Sequence, residues 1–159
     1  MRIAGIVRDS ITNGEGIRDV VFFQGCGKRC KGCHNPQTWD YGGGCHRFLG
    51  ELVNELAESS NNVTISGGEP LDQFEDLINL CKELKNQGKN IWLYTGNIVD
   101  PNKNCYMELA KYVDVIVDGR FVEELKDPNL LFRGSSNQRI INLPMSVILG
   151  EIIEWEESK

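Results

Sequence analysis

The chain has 159 residues, 40% of them hydrophobic and 25% charged, so one domain with a buried core is expected rather than a disordered or fibrous chain. The net charge is −6 and the pI about 5.0, which argues against nucleic acid as an obligatory partner. No apolar run approaches the roughly 18 residues of a membrane span, and the first residues lack a secretory apolar region, so a cytoplasmic protein with no membrane partner is expected.

Residues 2–8 and 18–24 are short β-branched and aromatic runs, separated by the turn formers Thr12-Asn13-Gly14-Glu15-Gly16. Both are expected to be extended, the second leading into a cysteine-rich loop. Asn35-Pro36 and Gly42-Gly43-Gly44 mark irregular chain beyond it. From Cys45 to Ser59, Phe48, Leu49, Leu52, Val53 and Leu56 recur at helical spacing. Val63-Thr64-Ile65-Ser66 reads as a buried strand ending in Gly67-Gly68-Glu69-Pro70. Asp72, with Glu75 three residues on, has the character of an N-cap. It would open a helix whose apolar stripe is Phe74, Leu77, Ile78, Cys81 and Leu84, with Gly88 ending it in the left-handed conformation.

Ile91-Trp92-Leu93-Tyr94 is the next strand, closing on Thr95-Gly96. A shorter helix runs from about Cys105 to Lys111, with Leu109 and Ala110 inward, and Val113 to Val117 forms a strand before Asp118-Gly119. Phe121 to Leu131 reads as partly helical and Arg133 to Gln138 as a loop, with a last extended run from about Arg139. Alternating strands and helices imply an α/β fold with a parallel sheet. A closed eight-stranded barrel needs about 250 residues. The expectation is therefore an open, partial (β/α) barrel of about five or six mainly parallel strands, one domain over 1–159. Ligands in such sheets gather beyond the C-terminal strand ends, where the cysteine loop and the glycine-bearing segments all fall.

Cys26, Cys30 and Cys33 are spaced C-x3-C-x2-C. A 4Fe–4S cluster normally takes four thiolates, so a loop offering three leaves one iron open. Structural zinc wants four ligands, usually as two separated pairs, and would need His34, His46 or a distant thiol. Cys30-x-x-Cys33-His34 also matches the c-type haem attachment pattern, which belongs to exported proteins. A redox pair would leave Cys26 unexplained. The spacing favours the three-ligand cluster, with zinc and redox thiols as the standing alternatives.

Cys81 reads as a packed apolar residue, and ordinary packing also suits Cys45 and Cys105. His34 reads as a ring facing the site and His46 as a surface residue. In Gly67-Gly68-Glu69 the glycines permit a ligand to approach the backbone and the carboxylate suits an ammonium group; the plain alternative is a tight turn.

Together, C-x3-C-x2-C and the Gly-Gly-Glu-Pro segment resemble the radical S-adenosylmethionine superfamily. Asn13-Gly14-Glu15-Gly16-Ile17-Arg18, Cys33 to Trp39 and Val117-Asp118-Gly119-Arg120-Phe121 are similar to the glycyl-radical-enzyme activases. Leu125-Lys126-Asp127-Pro128 with Arg133 to Gln138 narrows the resemblance to the branch that activates anaerobic ribonucleoside-triphosphate reductase. Glu15 stands where many activases have proline. Gly32 stands where many superfamily members have an aromatic against the adenine, a job that falls to His34 here.

The resemblance implies that Cys26, Cys30 and Cys33 hold a 4Fe–4S cluster. It implies that Gly32, Cys33, His34, Gly67, Gly68 and Glu69 contact S-adenosylmethionine, with Thr95, Asp118 and Asn13 as candidates for the ribose. It implies an oxidoreductase that generates a glycyl radical on the reductase, its protein substrate. An external electron donor such as a flavodoxin is also implied, toward which Lys28, Arg29 and Lys31 offer positive charge; three solvated charges are the plain alternative. Arg133 to Gln138 is expected at the mouth that admits the reductase, or as a hydrogen-bonded cap. The competing functions are activation of a pyruvate formate-lyase type enzyme, small-molecule radical chemistry of the deazaguanine-forming kind, and a zinc-bound interaction module.

Overall fold

The computed structural model describes residues 1–158. Its strands are β1 (Arg2–Ser10), β2 (Arg18–Phe23), β3 (Cys45–His46), β4 (Asn62–Gly67), β5 (Ile91–Tyr94), β6 (Val115–Asp118) and β7 (Arg139–Asn142). They form one open sheet in the order β3-β1-β2-β4-β5-β6-β7. β2, β4, β5 and β6 are mutually parallel, whereas β1, β3 and β7 pair antiparallel.

The expectation of five or six mainly parallel strands is therefore corrected to seven mixed strands around a parallel centre of four. The reason lies in the connections. The turn between β1 and β2 is too short for a crossover, so the chain folds straight back. After β6 the chain stays at the strand's C-terminal end, with only the 3₁₀ turn Glu123–Leu125, and re-enters the sheet there as antiparallel β7.

Four helices, α1 (Leu49–Ala57), α2 (Phe74–Asn86), α3 (Asn104–Leu109) and α4 (Leu143–Leu149), share one apolar core. Leu52 and Leu56, then Leu77, Leu80, Cys81 and Leu84, then Leu109, then Leu143 are all fully buried there. They meet Val21, Phe23, Val63, Ile65, Ile91, Leu93, Ile116 and Ile141 from the sheet. The alternate residues Trp92, Val115 and Val117, with Tyr94 and Ile140, face the other way, against Phe132 and Trp155. That period of two makes one face helix-covered and the other lined by loops. Consecutive parallel strands are joined through helices on that one face, so their C-terminal ends all open to the same edge.

Two helix starts differ from expectation. Gly44, at φ +65°, turns Cys45 and His46 into a strand against β1, so α1 begins only at Leu49, with Phe48 as an extended, exposed N-cap. Pro70 starts a 3₁₀ turn, Pro70–Gln73, capped by the Glu69 side chain. Asp72 is therefore not the N-cap of α2; its carboxylate accepts the Tyr41 hydroxyl at 2.6 Å. Gly88 does sit at φ +78°, and its N–H donates to the Lys85 carbonyl at 2.9 Å. The short helix α4, absent from the sequence reading, is capped by Asn142 and ended by left-handed Gly150.

Candidate metal and cofactor site

The loop leaving β2 is fastened at its start. Gly25 N–H donates to the Thr38 carbonyl (2.7 Å) and Cys26 N–H to that of Trp39 (3.1 Å). The Gly25 carbonyl accepts the Glu69 N–H at 2.8 Å. Left-handed Arg29 (φ +48°) and Gly32 (φ +76°) then reverse the chain, and Cys33 N–H returns to the Cys30 carbonyl. Cys26, Cys30 and Cys33 thereby become half-buried free thiols on the wall of one cavity of about 500 Å³. Gly67 to Glu69 after β4, Thr95-Gly96 after β5 and Gly119 after β6 line the same cavity.

The glycines of β4's end have a more immediate use than ligand approach. A Cβ on Gly68 would lie 2.3 Å from the Gly25 carbonyl oxygen. The cysteine loop's own backbone occupies the space that the missing side chains leave. Glu69 is 1% exposed and its acceptor sites are spoken for. Oε1 accepts from Leu71 N–H (3.1 Å) and the Thr95 hydroxyl (2.8 Å); Oε2 accepts from Gly96 N–H (2.9 Å) and faces Lys28 Nζ at 3.4 Å.

The three basic residues do not form one patch. Lys28 turns inward to Glu69, Arg29 lies over the Trp39 ring at 5.9 Å, and exposed Lys31 pairs with Glu123 at 3.4 Å. His34 reaches the cavity beside Phe121, ring centroids 5.0 Å apart, whereas Gly32 is outside the wall with Glu123 as its neighbour. Thr95 and Asn13 line the cavity. Asp118 does not: it is fully buried, paired with Arg139 at 2.5 Å, and accepts Val99 N–H. That pairing holds the Arg139 guanidinium above its ordinary pKa.

Arg133 to Gln138 is a tied knot at the cavity's edge. Gln138 Oε1 accepts the N–H groups of Gly134 and Ser135, and its Nε2 donates to the Gly119 carbonyl. Ser135 is fully buried and its hydroxyl accepts Val122 N–H, while Asn137 donates to the Arg120 carbonyl. Sequence reasoning missed Phe121, Phe132, Tyr94 and Ile11 to Thr12 as wall residues. No spacing marks them, because they arrive from separate segments and meet only through folding.

Among the described residues, no three His, Cys, Asp or Glu side chains converge on a point that a single metal ion would fill. Three thiols on one cavity wall match the ligand number of a 4Fe–4S cluster that leaves one iron open, whereas structural zinc is closed by four ligands. Asn35 N–H donates to Cys33 Sγ at 3.4 Å, the kind of contact that orients and tunes a thiolate ligand. Cys45, Cys81 and Cys105 lie outside this cavity. Burial pushes the Cys81 thiol well above its ordinary pKa, which makes it inert.

Residues 12–141 match the family described as a 4Fe-4S single cluster domain. A relative from Escherichia coli (strain K12) is 35% identical over 143 residues, covering 84% of this chain and 93% of its own. One from Enterobacteria phage T4 is 39% identical over 137 residues, covering 80% and 85%, and one from Vibrio cholerae is 34% identical over 141 residues, covering 82% and 90%. All three are named anaerobic ribonucleoside-triphosphate reductase-activating protein. Together the cluster-domain match and this likeness over most of its length make the chain a member of the anaerobic ribonucleoside-triphosphate reductase-activating protein family.

Proposed function

We propose that this chain is a radical S-adenosylmethionine enzyme that generates a glycyl radical on anaerobic ribonucleoside-triphosphate reductase, its open sheet serving as the superfamily's partial barrel. The observation that carries the reading is the meeting of three free thiols with the Gly67-Gly68-Glu69 shelf on one cavity. Cys26, Cys30 and Cys33 would hold three irons of a 4Fe–4S cluster, leaving the fourth open. Held by these thiolates, a reduced cluster would supply one electron to cleave S-adenosylmethionine reductively, giving methionine and a carbon radical that would take a Cα hydrogen from one glycine of the reductase.

The chain's own residues would bind and orient the cofactor. The methionine end would rest along the backbone of Gly67, Gly68 and Glu69, with Cys33 flanking by backbone, while Gly32, outside the wall, would act only through the turn it gives the loop. His34 offers a ring for the adenine, supported by Phe121 at 5.0 Å. Thr95 and Asn13 line the same cavity and are the ribose candidates. Holding the reacting bond in one geometry would be the protein's main contribution. An external donor such as a flavodoxin would reduce the cluster, approaching the exposed Arg29 and Lys31 rather than all three basic residues. The same reading puts the reaction in the cytoplasm.

The test is anaerobic incubation of the reduced protein with S-adenosylmethionine and anaerobic ribonucleoside-triphosphate reductase, read by electron paramagnetic resonance. A glycyl radical should form on the reductase and vanish in Cys26→Ala, Cys30→Ala and Cys33→Ala. About one zinc per chain without labile sulfide, or no radical from fully reconstituted protein, would refute the reading.

A further inference from the structure

We propose that Lys28 is a positioning residue whose ion pair with Glu69 seats the cysteine loop on the strand ends and balances the buried carboxylate's charge beside the cluster. The inference rests on the cluster reading of the loop. Lys28 lies between Cys26 and Cys30, yet its side chain is only 17% exposed, against 82% for Lys31. Its stem runs over Gly96, where a Cβ would fall 2.5 Å from Lys28 Cδ, so the groove for the stem exists because residue 96 is glycine. At the end of the groove Nζ meets Glu69 Oε2 at 3.4 Å.

The other groups on Glu69, namely Leu71 N–H, the Thr95 hydroxyl and Gly96 N–H, are neutral donors. They solvate the carboxylate without cancelling its charge, and Lys28 is the cation that does. The strut therefore joins the loop to the ends of β4 and β5 in one contact. It also removes a negative charge from the wall on which the thiolates sit. A cluster's reduction adds an electron, so an uncompensated carboxylate nearby disfavours it and an uncompensated ammonium favours it.

Two readouts separate charge from seating. The first is the midpoint potential of the reconstituted cluster, without S-adenosylmethionine, in wild type, Lys28→Met, Lys28→Arg, Glu69→Gln and the Lys28→Met/Glu69→Gln double variant. The potential should fall in Lys28→Met, rise in Glu69→Gln, and return near wild type in the double variant and in Lys28→Arg. The second is amide hydrogen exchange over residues 25–31 in the cluster-free protein. Exchange there should be about tenfold faster in Lys28→Met and also in the double variant, which lacks the strut although its charge is balanced.

Shifts of one sign in both single variants, an unmoved potential in Lys28→Met, or unchanged exchange on losing Lys28 would each overturn the proposal. Iron and sulfide analysis of the wild type keeps the two claims apart. A wild type that takes up no cluster refutes the cluster reading, and the exchange measurement then decides the strut by itself.

Discussion

Single residues at this site act through what they exclude as much as through what they contact. Gly68 is the sharpest case, since an added methyl group meets the Gly25 carbonyl at 2.3 Å and neither backbone can yield alone. Gly68→Ala should cost about 1–3 kcal/mol. It should also lower iron bound per chain on reconstitution by pushing the cysteine loop off the strand end. Iron and sulfide analysis beside a urea unfolding curve checks both, and full cluster loading in the variant would contradict the account.

Asp19 shows a different kind of exclusion. It is fully buried, and burial works to raise its pKa, but Asn61, the Arg8 guanidinium at 2.6 Å and Asp9 N–H outweigh that and hold it below the ordinary carboxylate range. A folded pKa below the unfolded one adds stability that is complete above the unfolded value, about pH 4, and fades as pH falls through the folded one. Asp19→Asn should flatten that acid limb of the stability curve while leaving its slope above about pH 5 unchanged; urea midpoints measured across pH read this directly.

At the scale of elements, the sequence carried the parallel centre of the sheet because β2, β4, β5 and β6 are short β-branched or aromatic runs punctuated by glycine. α2 was equally legible, with its stripe of Leu77, Cys81 and Leu84 and its left-handed Gly88. What escaped was decided by neighbours. Cys45 and His46 look helical by spacing, but the edge of β1 was unpaired, and Gly44 turned the chain onto it. Asp72 looks like a cap, but Pro70 began its own turn two residues earlier and the Tyr41 hydroxyl took the carboxylate.

The gathering of the three thiols on one wall was legible from spacing alone, because their loop is a local object. Lys28 was not. As sequence it is one of three loop cations, and its inward turn depends on a carboxylate and a glycine more than forty and sixty residues away. The Arg133 to Gln138 loop was read as either mouth or cap, and its hydrogen bonds to Gly119, Arg120 and Val122 make it the rivet that holds the chain after β6 to the cavity's edge.

At the scale of the whole molecule, the two faces of the sheet are stabilised by different means, and this bears on the cavity. Helices cover one face with aliphatic side chains, whereas the other depends on aromatic contacts supplied by loop and tail. The C-terminal segment pairs with β7, Trp155 N–H donating to the Ile140 carbonyl at 2.9 Å and Ile153 accepting from Asn142. Ser158 is tied to the Glu15 carboxylate near the start of β2. The Trp155 ring then meets Trp92 edge-on at 5.0 Å and Phe132 at 6.0 Å. Phe132 sits at φ +58°, a conformation costly for a bulky residue, and its carbonyl accepts the Tyr94 hydroxyl at 2.5 Å. Both Phe132 and Tyr94 line the cavity. The tail thus supports, through Trp155, a wall of the cavity whose own backbone is strained. Trp155→Ala should destabilise the fold by about 2–4 kcal/mol and, on the proposed function, weaken S-adenosylmethionine binding severalfold while iron content stays at the wild-type level, because the cysteine loop is anchored elsewhere. Trp155→Phe, which keeps an aromatic edge against Trp92, should recover most of the affinity. Calorimetric titration with S-adenosylmethionine beside iron analysis checks the pair of effects. Equal affinity in Trp155→Ala would mean that the wall holds its shape without the tail.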